Sequence, residues 1–448
     1  MLELTPLKPT NSGKIALKSR GPETNRLALA DRPIHDWYRF VLSYPPHLVR
    51  DYVSRFNLEN GACVLDPFCG TGTTLVECKK LGISSVGIEA HPFSHFASST
   101  KLDWKIDPDR LEGTALSIAG RVLHRLEGEG IIDDPNPQLI NESSPQGNLR
   151  ELPEEVLQLL LANSISPLPL HKSLLLIEAI DAAEYGLAHL RLALAKALVN
   201  TISNLHFGPE VGIGPAKSDA PVVSSWLRNV MHMAENLREV QRHAKVPAIV
   251  YHADSRQINR LLRPESIDAV ITSPPYPNEK DYTRTTRLET VLLGFIRDKP
   301  SLQALKRTML RSNTRGVYKG DTDDQWVEKH IEIQRIATQI EDRRIEMGKT
   351  SGFEKLYARV TKLYFGGMTR HLSELRPFLR PGAKLAYVVG DQASYLRVMI
   401  RTGQLLASIA VDLGYEVERI DLFRTRLATA TREQLREEVL VLTWPGHK

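Results

Sequence analysis

The residues of this sequence best suited to chemistry form a Ser-Pro-Pro-Tyr turn, made of Ser273, Pro274, Pro275 and Tyr276. The turn follows a run rich in Ile, Val and Ala at 266–272, a composition typical of a buried strand in a parallel sheet. Two consecutive prolines cannot donate hydrogen bonds to a sheet, so the strand must end before them. The turn is therefore predicted at the carboxyl end of a central strand, where α/β sheets bind their ligands.

The predicted turn combines hydrogen-bond acceptors with an aromatic ring. The Ser273 hydroxyl and the carbonyls of Ser273 and Pro274 can accept hydrogen bonds, and Tyr276 can stack on a planar ring. A nucleobase that has left its helix is such a ring, and its exocyclic amine would donate to these acceptors. A proline-terminated strand with a tyrosine in the protein core is the structural alternative, and these four residues alone leave both interpretations open.

A second candidate ligand site is a glycine-rich turn that contains Gly70 and Gly72, directly after Asp66 and Phe68. Glycines let the backbone approach a ligand closely, and the free N–H groups of the following helix favour a negative group. Glu89 ends the next predicted strand about 20 residues later, a spacing at which an acid commonly binds ribose hydroxyls. The third glycine of the dinucleotide fingerprint is absent, and Glu89 could also be a solvated residue at a strand end.

The elements that position these motifs alternate between strand and helix, which predicts an α/β fold with a Rossmann-like, seven-stranded sheet. The last two strands are expected to pair antiparallel. A long, mainly helical segment (105–245) separates the second strand from the third and is interpreted as an insertion. The predicted strands are 62–66, 85–89, 248–254, 266–272, 384–391, 416–423 and 438–444.

The chain after the prolines is rich in groups that could contact a polyanion. Asn278, Tyr282 and Arg284 follow the turn directly, so they should lie at the rim of the same cleft. The stretch 297–319 then contains seven Lys or Arg residues and a single acid, Asp298. This stretch predicts either a phosphate-contacting segment or a solvated helix face.

Bulk composition is that of an ordinary globular protein. The chain has 448 residues, of which 42% are hydrophobic and 25% charged, and its net charge of +5 permits a polyanionic partner. No signal peptide and only three cysteines, without zinc-site spacing, predict a reducing, cytoplasmic location and no metal site. No apolar run reaches the length of a membrane helix, so no membrane association is expected.

Taken together, these residues resemble the AdoMet-dependent DNA amino-methyltransferases of restriction–modification and related systems. The resemblance rests on Asp66–Gly72 (Asp-Pro-Phe-Cys-Gly-Thr-Gly) and Thr272–Tyr276 (Thr-Ser-Pro-Pro-Tyr). It implies a seven-stranded methyltransferase sheet with an antiparallel last strand. The expected domain organisation is an irregular N-terminal arm (1–32), a split methyltransferase domain (33–104 and 246–448), the helical insertion (105–245) and a basic helical segment (297–350).

The resemblance implies S-adenosyl-L-methionine (AdoMet) as the cofactor. The glycine-rich loop would hold its methionine part, Glu89 its ribose and Asp254 its adenine amine. The segment Tyr44–His47 looks like a further cofactor-contacting motif of some classes in this family. The expected cofactor-binding residues are Tyr44, Pro46, Asp66, Phe68, Cys69, Gly70, Thr71, Gly72, Thr73, Glu89 and Asp254.

The same resemblance assigns the target base to the Ser-Pro-Pro-Tyr turn. A serine in the first position is associated mainly with N4-cytosine methylation in this family, whereas Asp or Asn is associated mainly with N6-adenine. The expected reaction is therefore methylation of the N4 amine of a flipped cytosine in double-stranded DNA. N6-adenine methylation is the alternative, and a non-catalytic DNA-binding subunit is a further alternative. RNA amino-methylation is less favoured, and a nicotinamide oxidoreductase is the weakest interpretation.

No separate target-recognition domain is evident from the sequence. The insertion, the basic segment after Tyr282, or both are candidates for that role. The expected DNA-contacting residues are Asn278, Tyr282, Arg284, Arg307, Arg311, Arg315 and Lys319. Candidate protein partners are a cognate restriction endonuclease and other defence-system proteins, and the oligomeric state is left open.

Overall fold

The computed structural model describes residues 27–40, 43–133, 147–207, 210–278, 280–427 and 434–446, so most of the predicted N-terminal arm lies outside the described residues. Nine strands lie within these ranges: β1 (Cys63–Asp66), β2 (Ser84–Glu89), β3 (Leu205–Phe207), β4 (Val211–Ile213), β5 (Ala248–His252), β6 (Ile267–Thr272), β7 (Leu379–Gly390), β8 (Glu416–Leu427) and β9 (Gln434–Thr443).

Seven of these strands form one sheet in the order β5-β2-β1-β6-β7-β9-β8. The first five strands of that order are mutually parallel, and β9 runs antiparallel to both of its neighbours. This arrangement confirms the predicted fold class, a Rossmann-like seven-stranded sheet with an antiparallel last strand. β8 and β9 each extend several residues beyond their predicted bounds, because the pairing between them continues past the apolar cores of both strands.

The strand order reverses between β1 and β6, which lie side by side in the centre of the sheet. Val64 of β1 pairs with Ser85 of β2 on one side and with Ala269 of β6 on the other. Sheets of this type bind ligands in the crevice outside the carboxyl ends of the strands at such a reversal. Both predicted motifs therefore begin at this crevice, since one follows β1 and the other follows β6.

Fifteen helices lie within the described ranges. They are α1 (Arg32–His35), α2 (Pro46–Arg55), α3 (Thr73–Lys80), α4 (Pro92–Leu102), α5 (Pro108–Gly128), α6 (Glu154–Leu157), α7 (Pro167–Asp181), α8 (Leu187–Ala197), α9 (Val222–Val240), α10 (Tyr282–Thr285), α11 (Arg287–Leu292), α12 (Lys299–Thr308), α13 (Ile331–Glu346), α14 (Tyr357–Leu375) and α15 (Thr402–Asp412). None of these helices is long and apolar enough to cross a membrane.

Helices cover both faces of the sheet, because alternate residues of each strand point to opposite sides. On one face Leu65 and Val270 join a core with residues of α13, α14 and α15. On the other face Val64, Ala269 and Ile271 pack against α2. The strand before the Ser-Pro-Pro-Tyr turn is therefore buried on both faces, as its run of apolar residues predicted.

The insertion is mainly helical, as predicted, and packs against the sheet domain. Its helices α5, α7, α8 and α9 share one apolar cluster with residues of α3 and α4, including Leu75 and Phe93. It also contains an antiparallel hairpin of β3 and β4 that the sequence analysis did not predict. Two strands of three residues each are too short to show the alternation of apolar and polar residues by which a strand is predicted.

Candidate active site

A cavity of about 270 Å³ opens at the carboxyl ends of the central strands and contains both predicted motifs. Its walls come from the loops after β1, β2, β5 and β6 and from the ends of β7, β8 and β9. Fourteen of the residues predicted from the sequence line it, namely Tyr44, Phe68, Cys69, Gly70, Thr71, Thr73, Glu89, Asp254, Ser273, Pro274, Pro275, Tyr276, Asn278 and Tyr282.

The glycine-rich loop after β1 needs glycine at two positions for different reasons. Gly70 and Gly72 have φ values of +52° and +85°, in the left-handed region that side chains rarely adopt. A Cβ on Gly70 would meet no protein atom within 4 Å. A Cβ on Gly72 would lie 3.1 Å from Ser98 Cβ of α4, so Gly72 lets two helices approach and does not line the cavity.

Thr71, between the two glycines, lines the cavity, and its hydroxyl is buried without a hydrogen-bond partner among the described residues. Behind it, the buried Lys101 donates from Nζ to the Thr71 carbonyl at 3.0 Å. Burial lowers the pKa of Lys101 to about 7. An unpartnered hydroxyl, the N-terminus of α3 and a buried ammonium group together favour an anionic ligand group at this loop.

Glu89, at the end of β2, forms hydrogen bonds to both the loop after β1 and the loop after β2. Its Oε2 accepts from the Gly70 N–H at 2.8 Å, and its Oε1 accepts from the His91 N–H at 2.7 Å. Burial raises the pKa of Glu89 to about 7 despite these hydrogen bonds. The carboxylate would gain from further donors, such as a pair of ligand hydroxyl groups.

Asp66, which was predicted to bind cofactor, lies behind the loop and does not line the cavity. It is fully buried and accepts from the Thr272 hydroxyl (2.6 Å), the Phe68 N–H (3.2 Å) and the Tyr44 hydroxyl (3.1 Å). Burial raises its pKa to about 6. Asp66 therefore connects the ends of β1 and β6 and acts as a support for the loop. Pro46 is likewise buried outside the cavity, at the start of α2.

Asp254, after β5, lines the cavity and is held by a buried arginine. Its Oδ2 accepts from Arg256 Nη2 at 2.7 Å, and its Oδ1 accepts from the Arg256 N–H at 2.9 Å. Arg256 also pairs with Asp323 at 2.5 Å and donates to the carbonyls of Thr308 and Met309, two further residues of the cavity wall. The orientation of Asp254 is thus fixed before any ligand binds.

The Ser-Pro-Pro-Tyr turn is anchored on β7. The Ser273 hydroxyl donates to the Val388 carbonyl at 3.2 Å, which leaves its oxygen lone pairs available to a donor in the cavity. The Tyr276 ring lies against Gly390, where an added Cβ would come within 2.8 Å of a ring carbon. Gly390 is thus a positioning residue that the sequence analysis missed, since only the strand register brings it under the ring.

Several other cavity residues were not predicted as site residues. They include Phe40, Ser43, His91, Ser94, Lys280, Thr308, Phe423, Arg424, Arg426 and Glu437. Phe40 packs on Tyr282, with ring centroids 5.5 Å apart. Glu437 pairs with Arg424 at 2.5 Å and with Arg426 at 3.6 Å. These residues come from distant parts of the chain, and the only sequence signal was proximity to a predicted motif, as for Ser43, His91 and Lys280.

The predicted DNA-contacting residues outside the cavity fall into two groups. Arg311 is only 4% exposed, and its guanidinium donates to Asp321 (2.7 and 2.8 Å) and to three backbone carbonyls, so it holds its own loop together. Arg307, Arg315 and Lys319 are exposed at the surface, and Arg284 is partly exposed. The prediction that all of these arginines face a partner therefore needs correction at Arg311.

Within the described residues, no cluster of His, Cys, Asp and Glu could hold a metal ion.

Comparisons with known proteins point to one family. The family model for DNA methylase (N6_N4_Mtase) matches residues 20–97. The chain is 26% identical to the type II methyltransferase M.BsoBI of Geobacillus stearothermophilus, over 90% of this chain and 82% of that protein. It is 24% identical to the type II methyltransferase M.AvaI of Nostoc sp. strain PCC 7120, over 92% of this chain and 87% of that protein.

Among solved structures, TrmN from Thermus thermophilus aligns with a TM-score of 0.27 and 13% identity, over 92% of this chain and about half (52%) of that chain. The family model and the two type II methyltransferases confirm the resemblance to the DNA amino-methyltransferases that the two motifs predicted.

Proposed function

We propose that this relative of the DNA amino-methyltransferases transfers a methyl group from AdoMet to the exocyclic N4 amine of a flipped cytosine in DNA. One observation carries the proposal. The acceptor groups and ring of the Ser-Pro-Pro-Tyr turn share a single cavity with the glycine-rich loop and Glu89. A site for a base with an exocyclic amine therefore adjoins a site for a ligand with an anionic group and hydroxyls.

The residues at one end of the cavity, around the glycine-rich loop, Glu89 and Asp254, fit AdoMet, and we call this the cofactor end. The Thr71 hydroxyl and the N-terminus of α3 would bind its carboxylate, with the charge of Lys101 behind them. Glu89 would accept from the ribose hydroxyls, and Asp254, held by Arg256, would accept from the adenine amine. When bound, AdoMet supplies an electrophilic methyl group on its sulfonium.

The residues of the turn would activate the base by position. The amine of cytosine is a poor nucleophile because its lone pair is delocalised into the ring. Ser273 and the Pro274 carbonyl would accept its N–H groups and favour a more pyramidal nitrogen, while Tyr276 stacks on the ring. Catalysis of this type relies on orientation and fixed dipoles, and it needs neither a cysteine nucleophile nor a strong base.

Cytosine is proposed over adenine because serine stands first in the turn. N6-adenine methylation would use the same cofactor site and the same acceptors, so it is the second candidate. Product identity is what distinguishes the two reactions.

The DNA would lie along the cavity mouth and the exposed part of the basic segment. Arg307 stacks on the Tyr318 ring at 5.1 Å, and Arg315 lies 5.9 Å from the Phe353 ring centroid, so both guanidinium groups are held at the surface. With Lys319 they would contact phosphates. The insertion and segment 297–350 are the proposed target-recognition regions, and a cognate restriction endonuclease is the proposed protein partner.

The experiment is methyl transfer from labelled AdoMet to unmethylated duplex DNA, followed by mass spectrometry of the digested nucleosides. N4-methylcytosine would support the proposal. N6-methyladenine would overturn the choice of base and leave the cofactor site in place. AdoMet binding without transfer to any of several DNAs would instead favour an RNA substrate or a partner-dependent enzyme, whereas a protein that does not bind AdoMet would favour a non-catalytic DNA-binding subunit.

A further inference from the structure

Lys280 differs from the other cations of the cavity in having no carboxylate partner among the described residues. Arg424 and Arg426 line the same cavity, and both pair with Glu437. No ion pair among the described residues includes Lys280, although its side chain is half-buried. A half-buried ammonium that forms no ion pair has lost part of its hydration, so a ligand acceptor would stabilise it.

The backbone of Lys280 is fixed, which gives its side chain a defined origin. The Lys280 N–H donates to Asn278 Oδ1 at 3.1 Å, and the Lys280 carbonyl accepts from Asn313 Nδ2 at 3.2 Å. Asn278 in turn donates its N–H to the Tyr276 carbonyl at 2.8 Å. The backbone of Lys280 is therefore held in a set position relative to the backbone of Tyr276.

The charged neighbours of Lys280 place it at the base end of the cavity. Burial lowers the pKa of its ammonium, as does Arg426, whereas Glu437 and Glu210 raise it. Glu437 belongs to β9 and Arg426 to β8, on the side of Tyr276 away from the glycine-rich loop. The ammonium, which forms no ion pair among the described residues, thus lies on the side where the target base would lie.

We propose that Lys280 is a specificity-determining residue that donates a hydrogen bond to the O2 carbonyl of the flipped cytosine. The proposal rests on the proposed function, since it assumes that the cytosine amine meets Ser273 and the Pro274 carbonyl. In that orientation cytosine presents its amine, N3 and O2 along one edge. Adenine presents its amine, N1 and a C2–H group at the same positions, so it offers no acceptor where cytosine has O2.

This difference would select cytosine by leaving Lys280 unpaired when adenine enters. A site built to bind a polar group rejects an analogue that lacks the group, because the buried donor is then unsatisfied. Exposed cations such as Lys319 would instead contact phosphates, which carry no information about the base.

The test compares Lys280→Met with wild type on a duplex that wild type methylates in the assay with labelled AdoMet. We expect kcat/KM for the target cytosine to fall about ten- to hundredfold. We also expect the preference for cytosine over adenine at the target position to fall, with AdoMet affinity and thermal stability unchanged. Lys280→Arg should recover part of the activity, since it keeps a donor.

A base contact and a phosphate contact respond differently to salt. Lys280→Met should leave the slope of log affinity against log salt unchanged, whereas Lys319→Met should weaken binding and reduce that slope by about 1. A reduced slope with an unchanged cytosine preference in Lys280→Met would overturn the assignment in favour of a phosphate.

A substrate analogue isolates the O2 contact. A duplex whose target base keeps the amine and the ring acceptor but lacks the O2 carbonyl should be a poor substrate for wild type. For Lys280→Met, kcat/KM should be nearly the same on this analogue as on the normal duplex, because the variant already lacks the contact to O2. Independent losses would overturn the role of Lys280, whereas a wild-type protein that makes no N4-methylcytosine would overturn the proposed function itself.

Discussion

The two ends of the cavity are built in different ways. The proposed cofactor end consists of the loops after β1, β2 and β5, and its acids already have protein partners: Glu89 accepts two N–H groups and Asp254 is held by Arg256. The proposed base end consists of the Ser-Pro-Pro-Tyr turn and the ends of β7, β8 and β9. Its acid Glu437 also pairs with two arginines, but Lys280 has no ion-pair partner among the described residues.

This contrast fits two different roles, with cofactor binding at one end of the cavity and selection of the base at the other. A cofactor that is the same in every reaction cycle is served best by groups whose orientation is fixed in advance, because fixed groups lose no freedom on binding. The choice of a base depends on a group that is satisfied by one base and left unpaired by another. Four changes would test or sharpen this comparison.

The largest effect is expected at Gly70. Gly70→Val would place a β-branched side chain at a φ of +52° on the cavity wall, so we expect no measurable AdoMet binding by calorimetry. Gly61→Val is the matched control, because Gly61 also has a positive φ and open space around it but lies outside the cavity. Equal AdoMet affinity in both variants would contradict the assignment of the loop.

The second effect concerns the arginine network that fixes the orientation of Asp254. Arg256→Met would leave Asp254 without a cation and the buried Asp323 with only Arg370, at a cost of about 3–5 kcal/mol in the free energy of unfolding. Arg335→Met removes an exposed pair with Glu332 and should cost less than about 1 kcal/mol. Denaturant unfolding of both variants measures the difference, and similar costs would mean that the Arg256 network is not structural.

The third change should impair the base end of the cavity without affecting AdoMet binding at the cofactor end. Tyr276→Ala removes the ring that would stack on the base, so turnover should fall about ten- to hundredfold while AdoMet affinity is kept. Tyr276→Phe keeps the ring and its packing on Gly390, and it should retain most of the activity. If Tyr276→Ala keeps the wild-type rate, the base does not stack there. Loss of AdoMet binding would show instead that the two ends are not separable.

The smallest effect is a pH dependence of AdoMet affinity. Glu89 has a raised pKa of about 7 and would bind ribose hydroxyls best when ionised, so affinity should fall up to tenfold per pH unit below 7. Lys101 has a lowered pKa of about 7 and would lose its charge above that pH, which weakens binding of the carboxylate.

Calorimetry between pH 6 and 8 should therefore give a maximum near neutrality. Glu89→Gln should flatten the acid limb and Lys101→Met the alkaline limb. A profile that neither variant changes would assign the titration to other groups.

The sequence predicted the parts of the site that depend on local pattern. Two consecutive prolines end β6 whatever the tertiary structure around them, because they cannot donate hydrogen bonds to a sheet. The glycines after β1 are required because the turn there has backbone angles in the left-handed region. Each motif follows a buried strand, so both had to lie at the same edge of a parallel sheet. The cofactor end was therefore largely predictable, since most of its residues fall in one short stretch after β1 and β2.

The tertiary structure decided which polar side chains face the cavity and which support it. Asp66 and Arg311 were both predicted as ligand contacts, but hydrogen bonds to the protein direct each of them inward. Gly390 and Glu437 gave no signal, because strand pairing across distant parts of the chain brings them beside Tyr276. Local pattern determines where a strand ends, whereas the direction of a polar side chain depends on partners that only the folded chain brings within hydrogen-bond distance.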